Sequence, residues 1–170
     1  MVYDGTGVRR YKTRFIDALN KRARAEELQK KYPKRWRYNT RILNRVRALH
    51  RRAKNIVLDW CRKFAKEFTL KAKKYGYVIV LEDLNHLREN AVKKEDKIVW
   101  KLSMFAYRKL QEAIVSKTIE YDVPIVFVNP RSTSSTCPRC GAKLFYNRRL
   151  GVCRRCGFVA DRDRVGAMNI

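Results

Sequence analysis

The chain has 170 residues and a formal net charge of +25, with 41 Lys and Arg residues against 16 Asp and Glu. This length allows one modest hydrophobic core and a small appended module, and no apolar run approaches the ~20 residues that cross a bilayer. The positive charge is concentrated in residues 1–74, where 24 Lys and Arg stand against 6 Asp and Glu. Such an imbalance favours nucleic acid as the partner over a membrane surface or a thermophilic surface of mixed charge.

The first 33 residues predict a short β-hairpin followed by a helix. Asp4-Gly5 lies between two β-forming runs, which is a hairpin signal, so Asp4 is interpreted as a turn residue and not as a catalytic one. Residues 13–31 then carry a helical pattern, and Tyr32-Pro33 ends it.

A second and much longer helix is predicted from Asn39, a favourable N-cap, to about Tyr75. Its apolar residues recur at intervals of three and four, so one stripe is expected to pack in the core. The other faces carry many basic residues without balancing acids, which favours contact with phosphates over simple solvation. The candidate nucleic-acid-binding residues are Arg41, Arg45, Arg47, Arg51, Arg52 and Lys54.

Gly76 ends this helix, and the pattern changes to that of an α/β unit. Residues 77–81 and 124–128 are continuous apolar runs, which are typical of strands buried on both faces. Between them, residues 85–98 predict a polar connection and residues 100–121 an amphipathic helix. Strand, helix and strand in this order predict a right-handed parallel unit.

Two Cys-x-x-Cys-Gly sequences predict a metal site. Two residues between cysteines let both thiolates of one turn reach the same ion, and the following glycine permits the left-handed backbone that closes the turn. Four thiolates favour a structural zinc ion in a zinc ribbon over a disulfide pair or a redox motif, while a rubredoxin-like iron site remains an alternative. The candidate ligands are Cys137, Cys140, Cys153 and Cys156.

The fifth cysteine and the absence of an export signal bear on the cellular compartment. Cys61 lies among Trp60, Phe64 and Phe68, so it is interpreted as a small core residue. Four cysteines in metal spacing without a signal peptide at Met1 predict a cytoplasmic protein.

Acidic residues lie at two positions where α/β sheets place their chemistry. Glu82 follows a predicted buried strand, and Asp161 and Asp163 precede a predicted helix start near Val165. Carboxylates that converge at the carboxyl ends of strands bind Mg²⁺, and two such ions promote phosphodiester hydrolysis. From these residues alone, a solvated strand end for Glu82 and a helix N-cap for Asp163 are equally good interpretations.

Several motifs, in this order, resemble the TnpB (OrfB) proteins of bacterial and archaeal transposons, which are relatives of the type V CRISPR nucleases. They are Val80-Leu81-Glu82-Asp83-Leu84-Asn85, Asn129-Pro130-Arg131-Ser132-Thr133-Ser134, the two cysteine pairs, and Asp161-Arg162-Asp163 with Ala167 and Asn169-Ile170. The resemblance implies an RNase H-like (RuvC) domain with the ribbon inserted before its last helix, and RNA-guided, Mg²⁺-dependent cleavage of DNA. It also implies that Glu82 and Asp163, with Asp161 less favoured, are catalytic metal ligands.

The expected fold is therefore α/β: an RNase H-like (RuvC) sheet fragment with a long basic helical hairpin and an inserted four-cysteine zinc ribbon. The expected organisation is a core over residues 1–130 with a helical insertion over 13–75, a zinc ribbon over 131–160 and the start of the final helix over 161–170. Structural Zn, catalytic Mg, DNA and, in the full-length protein, a guide RNA are the implied cofactors and partners; no membrane association is expected.

The family pattern is incomplete in this sequence. It lacks the first catalytic Asp, which family members carry on a strand with an Asp-x-Gly pattern, and the guide-binding amino-terminal half; Gly166 also departs from the family's usual Asn/Ala run. Without the first strand, the edge of residues 77–81 would be exposed and would favour a homodimer. We therefore expect at best a weak nuclease. The alternatives are a non-enzymatic nucleic-acid-binding remnant and an unrelated basic zinc-ribbon protein of ribosomal type.

Overall fold

The computed structural model describes residues 14–33, 35–83 and 97–170, with the backbone alone for 97–104 and for two short strands. These strands, β1 (Val2–Tyr3) and β2 (Val8–Arg9), pair antiparallel, as the predicted hairpin requires. The predicted turn at Asp4-Gly5 lies outside the described residues. The chain divides into one unit of residues 1–12, 80–86 and 126–170 and a second unit of residues 13–79 and 87–125.

Three helices build the second unit: α1 (Phe15–Lys31), α2 (Thr40–Tyr75) and α3 (Lys97–Tyr121). Helix α2 packs against both of the others. Most helical stability in proteins comes from tertiary packing and not from propensity, so the packing of this 36-residue helix on two neighbours stabilises it. No helix in the described part of the chain is long and apolar enough to cross a membrane.

Both ends of α2 follow local signals. The Asn39 side-chain oxygen accepts the amides of Arg41 and Ile42 at 3.1 and 3.2 Å, which satisfies two of the free donors at the helix start. Gly76 ends the helix with φ +66°, a backbone conformation that favours glycine. The predicted bounds of this helix are therefore confirmed.

The predicted apolar stripe of α2 is buried at Val46 and Ala53, as expected, but in the second half of the helix the buried line is displaced from it. The large aromatic residues Trp60, Phe64 and Phe68 are only half-buried and stack on one another, with ring centroids 5.2 and 5.5 Å apart. The fully buried positions in this half of the helix are Val57, Cys61, Ala65, Thr69 and Ala72. Small side chains at a contact let helix axes approach closely, and a pattern search for large apolar residues overlooks them.

Cys61 belongs to this core, as predicted. Its side chain is buried, and its sulfur lies 3.7 Å from the carbonyl oxygen of Ala106 on α3. Burial raises the pKa of this thiol to about 11, so it stays protonated and unreactive at neutral pH.

Two short strands, β3 (Ile79–Glu82) and β4 (Ile125–Val128), form a two-stranded sheet. The amide of Ile79 donates to the carbonyl of Pro124 at 2.9 Å, and the amide of Asp83 donates to that of Val128 at 2.8 Å. Because both partners advance together along the chain, the strands are parallel, as predicted.

The prediction that both strands are buried on both faces is wrong for the described residues. Ile79 is buried, but Val80 is 37% exposed, and Val126 and Phe127 are each 48% exposed. The side chains of a sheet point out of its two faces, so this exposure shows that other elements cover the faces of β3 and β4 only in part within the described residues.

The carboxyl-terminal part forms a ribbon of three antiparallel strands and a short helix: β5 (Phe145–Asn147), β6 (Leu150–Val152), β7 (Val159–Asp161) and α4 (Arg162–Asn169). Tyr146 lies opposite Gly151, which in turn lies opposite Ala160. Their face of the sheet packs on a small core of Cys137, Leu144, Cys153, Ala160 and Val165.

Gly151 is required by the tyrosine opposite it, and its replacement by alanine is expected to destabilise the ribbon. A Cβ at position 151 would lie 2.7 Å from Cε1 of Tyr146, whose hydroxyl donates to the carbonyl of Ser134. Displacing this ring is expected to cost about 1–3 kcal/mol, measured as a lower midpoint of thermal unfolding. Gly166→Ala is the matched control, because nothing lies within 4 Å of its added Cβ and alanine favours the helix there. Equal losses in both variants would contradict this explanation.

Candidate metal centre and carboxylate site

The four predicted cysteine ligands lie together at the core of the ribbon. All four Sγ atoms are within 4.8 Å of one another, and none of the cysteines is in a disulfide. Cys137 and Cys156 are 3.6 Å apart between sulfurs, and Cys140 and Cys153 are 3.5 Å apart. A tetrahedron with Zn–S bonds of about 2.3 Å has S–S edges of about 3.8 Å. The four cysteines could therefore bind one zinc ion with little rearrangement.

The two cysteine turns have the same backbone geometry. The amide of Gly141 donates to the carbonyl of Cys137 at 2.9 Å, and the amide of Gly157 donates to that of Cys153 at 3.0 Å. The two glycines have φ +72° and +71°. The predicted role of glycine in closing each turn is confirmed, and this closure turns both sulfurs of a pair towards the same point.

Backbone donors and neighbouring thiols move the pKa values of the ligands in opposite directions. The amides of Cys156 and Arg155 lower the pKa of Cys153 to about 6. The amide of Phe158 lowers the pKa of Cys156, but burial and the thiols of Cys140 and Cys153 outweigh it and bring the value to about 12. A cation among the sulfurs stabilises all the thiolates, so metal binding is coupled to proton release.

Glu82 ends β3, and the loop that follows β4 lies next to its carboxylate. The Thr133 hydroxyl lies 3.4 Å from Glu82 Oε1 and 3.0 Å from the carbonyl of Pro130. The Asn169 side-chain amide donates to the carbonyls of Thr133 and Thr136, both at 2.7 Å. Sequence motifs far apart in the chain are thus brought together, and α4 holds the loop that contacts Glu82.

Asp161 and Asp163 have different structural roles. Asp161, the N-cap of α4, accepts the amide of Asp163 at 2.9 Å through Oδ1. The interpretation of Asp163 as the N-cap is therefore wrong, because Asp161 has the extended backbone of a cap. Arg149 was not among the residues predicted for this site. Its Nε atom lies 3.3 Å from Asp161 Oδ2, and the same guanidinium also pairs with Asp163.

Only the four cysteines form a metal-sized cluster in the part of the chain that the structure describes. Over residues 14–33, 35–83 and 97–170, no other group of three or more His, Cys, Asp or Glu side chains lies close enough to share an ion. The three predicted catalytic carboxylates, Glu82, Asp161 and Asp163, are therefore not brought close enough together to share one ion in this structure.

The six basic residues predicted on α2 are all exposed. Two of them, Arg45 and Arg52, also line a groove of about 610 Å³ between α1 and α2. On the α1 side, Lys21, Arg24 and Lys31 line it as well, with Glu27 as its acidic residue. The sequence did not predict this groove, since its cations come from two helices that meet only in the tertiary structure.

Comparisons with known proteins give matches along much of the chain. The family model for the Cas12f1-like, TNB domain matches residues 107–170. A TnpB-like protein of Methanocaldococcus jannaschii is 38% identical over 120 residues, which cover 70% of this chain and 43% of that protein. The CRISPR-associated endodeoxyribonuclease Cas12f2 of a Micrarchaeota archaeon is 30% identical over 112 residues, covering 60% of this chain and 21% of that protein.

Among solved structures, the fold resembles Cas12f1 in its complex with single guide RNA and target DNA. The TM-score is 0.58 at 23% identity, over 82% of this chain and 40% of that one. At this identity the likeness concerns the fold, which is mixed α/β and Cas12f-like. The chain spans less than half the length of each of these relatives. Sequence, family model and fold agree that the chain belongs to the TnpB-like, transposase-associated proteins related to the type V CRISPR nucleases.

Proposed function

We propose that this chain is the nuclease-domain portion of an RNA-guided, Mg²⁺-dependent DNA endonuclease associated with a transposon. The observation that carries the proposal is the position of Glu82 at the carboxyl end of a strand with a parallel neighbour, within a Cas12f-like fold. Open α/β sheets place their active sites at that end. A relative named as an endodeoxyribonuclease and a fold neighbour bound to guide RNA and target DNA support the same activity and partners.

In this proposal the domains are an RNase H-like core over residues 1–130 with a helical insertion over 13–75, a zinc ribbon over 131–160, and the final helix from 161. Zinc held by the four cysteines has a structural role. The basic surface of α2 and its groove with α1 follow the phosphate backbone, since five cations at one groove concentrate positive potential.

Glu82 and Asp163 are the residues that would hold Mg²⁺, which activates water and stabilises the leaving oxygen when bound. Asp163 is favoured over Asp161 because one oxygen of Asp161 already accepts the helix amide. Arg149 neutralises both aspartates here, so a metal ion at Asp163 would compete with its guanidinium. Thr133, held by Asn169, would orient the Glu82 carboxylate.

A second candidate is a non-enzymatic nucleic-acid-binding protein. The observation that favours it is that Glu82, Asp161 and Asp163 do not lie close enough together to share one metal ion. The sheet of β3 and β4 has only these two strands among the described residues, so an edge of it would suit pairing with a further strand, from a second copy in a homodimer or from a longer chain.

Cleavage of DNA by this chain with Mg²⁺ distinguishes the two candidates. If it is a nuclease, Glu82→Gln or Asp163→Asn removes a metal ligand, and the cleavage rate is expected to fall about 10³-fold, equivalent to about 4 kcal/mol. Glu112→Gln is the matched control, since this exposed carboxylate on α3 pairs with Lys109 and should leave the rate unchanged. Cleavage that survives Glu82→Gln would reject the role of Glu82 as a metal ligand, and binding without any Mg²⁺-dependent product would favour the second candidate for this chain.

A further inference from the structure

The loop that follows β4, residues 129–136, is held by hydrogen bonds from other parts of its unit. Four consecutive carbonyls, those of residues 133–136, each accept a hydrogen bond from outside the loop. The Asn169 side-chain amide donates to the first and the last at 2.7 Å, the Tyr146 hydroxyl to the second, and the Leu144 amide to the third at 2.9 Å. Asn169 lies on α4, while Leu144 and Tyr146 pack in the cysteine core. Donors from separate elements therefore determine the shape of this loop.

The loop is also held in a strained conformation. Ser132 has φ +67°, in the left-handed region that favours glycine. Its carbonyl accepts the hydroxyls of Ser135 and Thr136 at 3.1 and 3.2 Å. Residues other than glycine keep this conformation where their surroundings impose it, and they cluster at functional sites. The loop is therefore expected to relax if its outside donors are withdrawn.

This strained loop connects the cysteine cluster to the Glu82 carboxylate. At one end, the Thr133 hydroxyl lies 3.4 Å from Glu82 Oε1 and 3.0 Å from the carbonyl of Pro130. At the other end, the loop runs directly into Cys137, a buried member of the four-cysteine cluster. All of these residues belong to one compact unit. A change in the cysteine core can therefore reach Glu82 through a continuous series of contacts.

We propose that zinc loading of the four cysteines controls the position of Glu82 through this loop, with Asn169 and Tyr146 as positioning residues. With zinc bound, the ribbon core keeps the donors to the loop in place, and Thr133 holds Glu82 in one orientation. Without zinc, the core loosens, the loop relaxes, and the Thr133 hydroxyl leaves the carboxylate. Groups that orient a metal-binding carboxylate determine how tightly it binds. This regulation rests on the proposed role of Glu82 as a metal ligand.

The test measures Mn²⁺ binding to the zinc-loaded 170-residue chain by electron paramagnetic resonance, with Mn²⁺ as the probe for the Mg²⁺ site. The quantity compared is the binding that Glu82→Gln removes. Thr133→Val deletes the hydroxyl but keeps the shape of the side chain, and it is expected to raise the dissociation constant about ten- to hundredfold. Thr133→Ser keeps the hydroxyl and should retain the affinity of the unaltered chain. Both variants should hold one zinc per chain.

Tyr146→Phe and Asn169→Leu test the positioning residues, because each removes donors to the loop at nearly constant side-chain shape. Each is expected to weaken the Glu82-dependent Mn²⁺ binding about tenfold while zinc is retained. Cys153→Ser, which removes a zinc ligand, should weaken it at least as much. Tyr38→Phe is the matched control, since Tyr38 lies in the helical unit and is 89% exposed, and it should leave the affinity unchanged.

Thr133→Val lies outside the cysteine core, so it tests the contact with Glu82 even where a ribbon variant fails to fold. Unchanged Mn²⁺ affinity in Thr133→Val would overturn the positioning of Glu82 by the loop. Unchanged affinity in Cys153→Ser would overturn the control by zinc. An unaltered chain without any Mn²⁺ binding that Glu82→Gln removes would instead reject the proposed role of Glu82, and this regulation with it.

Discussion

Replacement of Cys153 by serine is expected to abolish zinc binding and to unfold the ribbon. Cys153 is buried in the small core of the ribbon, to which all four ligands contribute. Structural zinc contributes about 10–16 kcal/mol of apparent binding free energy in small domains of this kind, far more than so few apolar side chains supply. Elemental analysis should fall from one zinc per chain to near zero, and the amide NMR signals of residues 137–161 should lose their dispersion.

Cys61→Ala is the control for this experiment. Cys61 is a buried thiol that lies on α2, in the helical unit, and contributes to its packing. Its replacement should leave one zinc per chain and lower stability by about 1 kcal/mol through a small cavity. A Cys153→Ser protein that retains stoichiometric zinc would contradict the four-cysteine site, and iron in the unaltered protein would favour the rubredoxin-like alternative.

Neutralising the exposed basic face of α2 is expected to have the largest effect on nucleic-acid binding. The changed residues would be Arg41, Arg45, Arg47, Arg51, Arg52 and Lys54, all replaced by glutamine. If each contacts a phosphate, the slope of log affinity against log salt becomes less steep by about 5, and duplex affinity at moderate salt falls about 10³-fold. A salt titration of duplex binding measures both quantities.

The matched control changes basic residues that are already neutralised by neighbours. Lys109 and Lys117 on α3 pair with Glu112 and Glu120 three residues further along the helix. Replacing both lysines by glutamine should change affinity by less than about threefold, because paired cations release few counterions. Equal effects of both sets would indicate that total charge, and not the face of α2, governs binding.

The sequence alone determined the features that depend on neighbours along the chain. Asn39 and Gly76 mark the start and the end of α2. The sequence reveals both because an N-cap and a residue in the left-handed backbone conformation act within one helical turn. The cysteine spacing placed four sulfurs within reach of one ion, since each pair and its glycine form a closed local turn. The parallel pairing of β3 and β4 followed from the order strand, helix, strand.

Only the tertiary structure decided which residues meet across long sequence separations. In the folded chain Asp161 is the N-cap of α4, and Arg149 pairs with both aspartates. Thr133 contacts Glu82, and Asn169 holds the loop that carries Thr133. Burial also depends on which other elements pack on a surface, and an apolar run in the sequence does not specify those elements. The runs at β3 and β4 therefore remain partly exposed.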